Sequence, residues 1–88
     1  VTTVADIKRV LERVCSDYVA DTVGFIDGLN ARNTMTLEGF DLDSLDLLEM
    51  AMSIEDEFDV DLDDYKLQKI SNETLLQDLP ELLYKAIF

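Results

Sequence analysis

Four consecutive residues, Asp43-Ser44-Leu45-Asp46, set a hydroxyl among carboxylates at the point where a polar stretch gives way to an apolar-periodic one. If a helix begins at Ser44, Asp43 is a natural N-cap, and Asp46 in the first turn complements the helix dipole. Taken alone, the tetrad is a capped helix start carrying a first-turn serine. Nothing in the chain could activate that serine as a nucleophile in the usual way. Histidine is absent, which removes the commonest general base and excludes Ser–His–Asp and Cys–His devices. Paired carboxylates could do acid–base work, but so small a domain offers little cleft to hold a substrate. No catalytic residue is assigned, and an independent enzyme is not expected.

Other chemistry-bearing residues are easier to place. Cys15 is the single cysteine, so no internal disulfide framework or multi-cysteine zinc site can form. Beside Val14 it reads as a packing residue on a helix flank and not as a reactive thiol. Asp59, Asp61 and Asp63 have the first, third and fifth spacing of a calcium loop. Asp64 then stands where glycine is needed and Ile70 where the bidentate glutamate is needed, so the pattern fails. Asp41, Asp43 and Asp46 fail similarly, and no metal site is assigned.

Charge narrows the partners. Twenty acidic residues against seven basic ones give a net charge of -13. Nucleic acid and anionic lipid are excluded on sign, leaving proteins with basic patches, or cations held diffusely, as favourable partners. The distribution is uneven: twelve of the twenty acids lie between Arg32 and Lys66, with no basic residue among them. Such self-repulsion invites a functional explanation. With 48% hydrophobic residues the 88-residue chain is globular by composition. No run approaches the roughly 20 apolar residues of a membrane span, and no signal peptide is visible. The expectation is one cytoplasmic domain over 1–88.

The elements that must position the tetrad follow from periodicity. Val4, Ile7, Val10, Leu11, Val14 and Tyr18 predict a first amphipathic helix over Val4–Tyr18, with Thr3 and Asp6 as a capping pair. Asp21–Asp43 holds all three glycines and scattered apolar residues. It reads as a long ordered loop packed across the helices, with a short helical turn near Phe25–Leu29 as an option. Ser44–Phe58 is the second helix, with Leu47, Met50 or Ala51, Ile54 and Phe58 along one face. Leu45, Leu48 and Met52 widen its apolar stripe beyond what one core face needs. An extended connector dips Val60 and Leu62 into the core, and a short third helix over Asp64–Ile70 turns Leu67 and Ile70 inward. A last helix runs to Ile87. Pro80 means that it is either kinked or begins at Asp78, with Asp78 and Glu81 as a capping box. The fold class is all-α, a four-helix bundle with a long first loop and a short third helix.

With these elements around it, Asp43-Ser44-Leu45-Asp46, together with Glu57-Phe58-Asp59 at the far end of the helix, resembles the acyl carrier protein family. The likeness covers nearly the whole chain and is strongest over residues 42–62. It implies that 4′-phosphopantetheine is attached to Ser44, and that Asp43, Leu45 and Asp46 are read by enzymes around it. It places Glu49, Met52, Glu55 and Asp56 on the partner-facing side of the helix. It also implies acyl groups carried as thioesters for fatty-acid, lipid or polyketide synthesis, with phosphopantetheinyl transferase and synthase enzymes as partners of a monomeric carrier. Physical chemistry agrees, because a phosphodiester at a helix N-terminus meets unpaired amides and the positive end of the dipole. The chain departs from the family at Asp41, where glycine is usual three residues before the serine, and at Asp63, where proline is frequent. The alternative is an acidic helical protein-binding or cation-binding module with no prosthetic group.

Overall fold

A computed structural model describes residues 2–87; Val1 and Phe88, the ends of the expected domain, lie outside the described residues. The architecture is all-helical. Four helices of nine or more residues, α1 (Val4–Val14), α2 (Thr22–Asn30), α3 (Ser44–Phe58) and α5 (Leu79–Ile87), surround one continuous core, with α4 (Asp64–Leu67) as a single turn. No described helix is long and apolar enough to cross a membrane.

The first helix forms for the reasons its pattern suggests. Thr3 and Asp6 close a capping box, the Asp6 carboxylate accepting from the Thr3 amide at 2.8 Å. Ile7, Val10 and Leu11 are buried. α1 stops at Val14, and Cys15–Asp17 tighten into a 3-10 turn. Cys15 is buried there, and its Sγ donates to the Glu12 carbonyl at 3.1 Å. Burial pushes its thiol pKa up, which fits packing and not reactivity.

The first connection holds more helix than its composition suggests. Two glycines and several β-branched residues make Thr22–Asn30 a poor helix by propensity. Tertiary packing overrides this. Asp21 caps the helix by accepting from the Gly24 amide at 2.9 Å. Phe25 and Leu29 are buried, and Phe25 meets Phe40 edge-on with ring centroids 5.6 Å apart. Gly28 is required by close approach: a Cβ there would lie 2.6 Å from Leu76 Cδ1. A longer side chain would force α2 off the core.

The rest of the connection is tied to a distant segment. The Leu37 and Glu38 amides donate to the Thr74 and Asn72 carbonyls, and the Leu76 amide donates to the Met35 carbonyl. Thr36 and Leu75 form an isolated antiparallel bridge, and no strand exists among the described residues. Asn33 braces the same region, its Oδ1 accepting from Met35 N and its Nδ2 donating to the Gly28 carbonyl. The approach to α3 is thereby anchored to the approach to α5.

α3 spans Ser44–Phe58 as its periodicity predicts, burying Leu47, Met50, Ala51 and Ile54. Asp59 ends it in the left-handed region at φ 53°, and the Val60 amide reaches back to the Glu55 carbonyl. In the connector, Leu62 packs against the core while Val60 is only half-buried. α4 is shorter than expected, but Leu67 and Ile70 do turn inward. α5 begins at Leu79, after a 3-10 turn over Leu76–Asp78, so Pro80 falls in its first turn where amides have no intrahelical acceptor. Among the described residues no Asp78–Glu81 capping box closes.

Candidate functional site

The tetrad is built around a second capping box. Asp43 Oδ1 accepts from the Asp46 amide at 2.9 Å, and Asp46 Oδ2 accepts from the Asp43 amide at 3.3 Å. Ser44 is therefore the first residue of a fifteen-residue helix, exposed and held by a cap on either side. Among the described residues nothing accepts from the amides of Ser44 and Leu45. These two donors, at the positive end of the dipole, are available to an oxyanion on the serine.

Asp41 resolves the first sequence departure. It sits at φ 58°, ψ 29°, in the left-handed region that favours glycine. Aspartate is among the few non-glycine residues that tolerate it. A left-handed turn of the kind glycine favours is made here by Asp41.

Along α3 the expected partner-facing residues divide into two kinds. Leu45 (60% exposed) and Met52 (52% exposed) stand in solvent, with Leu48 (41% exposed) between them at helical spacing. Glu49 and Asp56 are exposed beside this stripe. Asp46 and Glu55, by contrast, are half-buried and engaged within the fold. Asp46 serves the cap, and Glu55 Oε2 accepts from the Leu62 amide at 2.9 Å, which pins the connector to α3. Tyr18 lies close by, its hydroxyl pKa raised by burial and then by the charges of Glu49 and Asp17.

Two grooves open at Ser44. One, of about 350 Å³, runs between Ser44, Leu47 and Leu37 on one side and Ile70, Ser71 and Asn72 on the other. The other, of about 250 Å³, is lined by Ser44, Leu47, Leu67, Gln68 and Ile70. Leu47 and Ile70 line both, so an extended arm rooted on Ser44 has two adjoining channels to follow. Leu37, Ser71 and Asn72 carry no sequence signal for this role. They reach the serine only through the 35–38 and 72–76 pairing.

Comparisons with known proteins agree with this geometry. Residues 16–77 match the family described as "Phosphopantetheine attachment site". The chain is 34% identical over 64 residues to an acyl carrier protein of Clostridium acetobutylicum, covering 72% of this chain and 80% of that protein. It is 26% identical over 78 residues to an acyl carrier protein of Buchnera aphidicola subsp. Baizongia pistaciae, covering 89% of this chain and 96% of that one. No solved structure is matched. An exposed, capped serine beside two adjoining grooves fits attachment of the arm, and the family match spans the whole of this neighbourhood. The chain belongs to the phosphopantetheine-attachment family as an acyl carrier protein, a non-catalytic carrier that works through partner enzymes.

Proposed function

We propose that Ser44 is the attachment residue, and that residues 1–88 act as a single cytoplasmic carrier domain, monomeric, serving fatty-acid, lipid or polyketide synthesis. The observation that carries this reading is the position of Ser44: an exposed hydroxyl at the first residue of α3, with free amides behind it and two adjoining grooves beside it. When bound, the arm supplies the thiol on which an acyl group is carried. The chain's own residues do the rest. The Ser44 and Leu45 amides hold the phosphodiester oxygens, Asp43 and Asp46 fix the helix start, and Leu47 and Ile70 offer apolar cover. Glu49 and Asp56 steer basic surfaces of phosphopantetheinyl transferase and synthase enzymes toward the serine, and Leu45 and Met52 make the apolar contacts inside that rim. Glu55 contributes through the connector it holds.

The test is mass spectrometry after incubation with coenzyme A and a phosphopantetheinyl transferase. The expected result is a gain of one phosphopantetheinyl group on the peptide containing Ser44, absent in Ser44→Ala while its circular dichroism is unchanged. A gain that persists in Ser44→Ala, or maps to another residue, overturns the assignment.

A further inference from the structure

Between α4 and α5, the structure gathers three of the seven basic residues of this acidic chain around one groove. Lys66, Lys69 and Lys85 rim a depression of about 500 Å³ floored by Ile70, Leu82 and Ala86. Each lysine is exposed, and each has one contact within the fold. Lys66 Nζ donates to the Lys85 carbonyl at 3.4 Å, Lys69 Nζ lies 5.4 Å from the centre of the Tyr65 ring, and Lys85 Nζ is 3.5 Å from Glu81 Oε1. An ammonium has three donors, so these contacts leave donors facing solvent. Tyr65 itself is 72% exposed on α4. An exposed aromatic and an apolar floor inside a polar rim are features of a protein-docking patch.

We infer that this lysine-rimmed groove between α4 and α5 is a second docking contact, taking an acidic, apolar segment of the partner enzyme that acts on the arm; the inference rests on the carrier reading of Ser44. Two observations select that occupant. The first is charge: on a chain of net charge -13, this groove is where ammonium groups converge over apolar surface, so its complement is acidic and apolar. The second is continuity. Ile70, just past α4, lines this groove and both grooves at Ser44, so the three adjoin at one residue. A standard interface covers roughly 800 Å² per partner, and an enzyme seated over Ser44 and the α3 face on that scale spills across α4. An acidic face alone attracts a basic enzyme but leaves its rotation about α3 weakly defined. A basic contact outside α3 fixes that rotation, because a misoriented partner meets like charges.

The probe is a synthetic helical peptide with leucines at i, i+3, i+4 and i+7 and glutamates elsewhere, titrated into the isotope-labelled intact chain. The expected result is amide shifts centred on Lys66, Lys69, Ile70 and Lys85, weakening as salt rises. A variant carrying Lys66→Gln, Lys69→Gln and Lys85→Gln should bind at least about tenfold more weakly, as loss of a charge-complementary contact implies. Its circular dichroism should match the parent, since all three side chains are exposed and none packs in the core. Shifts centred on α3, equal binding by a lysine-for-glutamate peptide, or equal binding by the glutamine variant overturns the proposal. Decanoate that saturates the same amides and displaces the peptide would assign the groove to small amphiphiles instead. Self-association in sedimentation that the glutamine variant abolishes would assign it to a second copy. Either result overturns the partner-segment reading. Modification of Ser44 is scored separately: no mass gain in the parent chain defeats the carrier reading, whereas mass gain without peptide binding defeats the groove alone.

Discussion

α1 and α3 begin with the same device and end as different surfaces. Thr3 with Asp6 and Asp43 with Asp46 form matching capping boxes, each closing the two reciprocal hydrogen bonds that start a helix. Beyond the cap they diverge. α1 buries Ile7, Val10 and Leu11 and carries cations among its acids, with Arg9 against its own Asp6 and Arg13 reaching across to Glu57 of α3, each at 3.0 Å. α3 buries its own stripe, then exposes a second one at Leu45, Leu48 and Met52, and bears no cation along its length. Exposed apolar surface is unfavourable by about 25 cal/mol per Å² relative to burial, and unrelieved acids repel one another. Folding alone gives α3 no reason to carry either feature. The capping box makes a helix start; the second stripe, with Glu49 and Asp56 exposed beside it, makes a partner surface.

Charge reversal tests that contrast most strongly. Glu49→Lys with Asp56→Lys should slow modification and acyl loading by about tenfold at low salt, the effect shrinking as ionic strength rises. Lys8→Glu with Arg9→Glu on α1 should leave both rates unchanged. The α3 pair makes the chain less acidic and the α1 pair makes it more so, so a rate that rises for the α1 pair as much as it falls for the α3 pair would mean that net charge, and not the α3 surface, governs encounter. Asp46 is the wrong residue for this test, because its replacement also opens the cap.

Cap removal should give the next largest effect and show where the two helices are alike. Thr3→Ala and Asp43→Ala should each cost about 1 kcal/mol in urea unfolding. Only the second should also slow modification. If Thr3→Ala slowed it equally, the rate would be following global stability and not the start of α3.

Asp41→Gly should sharpen the account of the turn before Ser44. Relief of the left-handed conformation contributes about 1 kcal/mol, offset by about 0.5 kcal/mol of added freedom in the unfolded chain. A small gain in denaturation midpoint is expected, with the modification rate retained. A loss would show that the Asp41 carboxylate itself holds the loop.

The smallest effect concerns the exposed Arg13–Glu57 pair that joins α1 to α3. The Arg13 hydrogen bond, and then its charge, hold the Glu57 carboxyl below its ordinary value of 4.5. A depressed native pKa stabilises the fold above that ordinary value, and the contribution is lost as pH falls through the depressed one. Arg13→Gln should therefore be slightly less stable than the parent at neutral pH, and the two should converge in acid. Solvent screens the pair, so the gap should also close in high salt. A gap that widened in acid would reverse the sign of this argument.

Much of what depends on neighbours in sequence was legible in the sequence itself, although α1 stops short of Tyr18 and the expected Asp78–Glu81 box does not close. The bounds of α3, the Thr3–Asp6 capping pair, Asp43 as N-cap, the first-turn position of Ser44 and the inward turn of Leu67 and Ile70 follow from residue type and from spacings of three and four residues. Such spacings are written in the chain. So is the acidity that selects basic partners, since charge is a sum over residues. Tertiary structure decided the rest. α2 exists because Phe25 and Leu29 find a core and Gly28 lets Leu76 approach, which outweighs a poor local propensity. Glu55 turned inward to the Leu62 amide while Glu49 stayed in water, although both look equally partner-facing on a helical wheel. The grooves beside Ser44 required Leu37 to pair with Thr74, and the lysine groove required α4 to dock on α5. Those pairings join residues far apart along the chain, and their energy comes from burial and backbone hydrogen bonds that exist only once the chain has closed on itself.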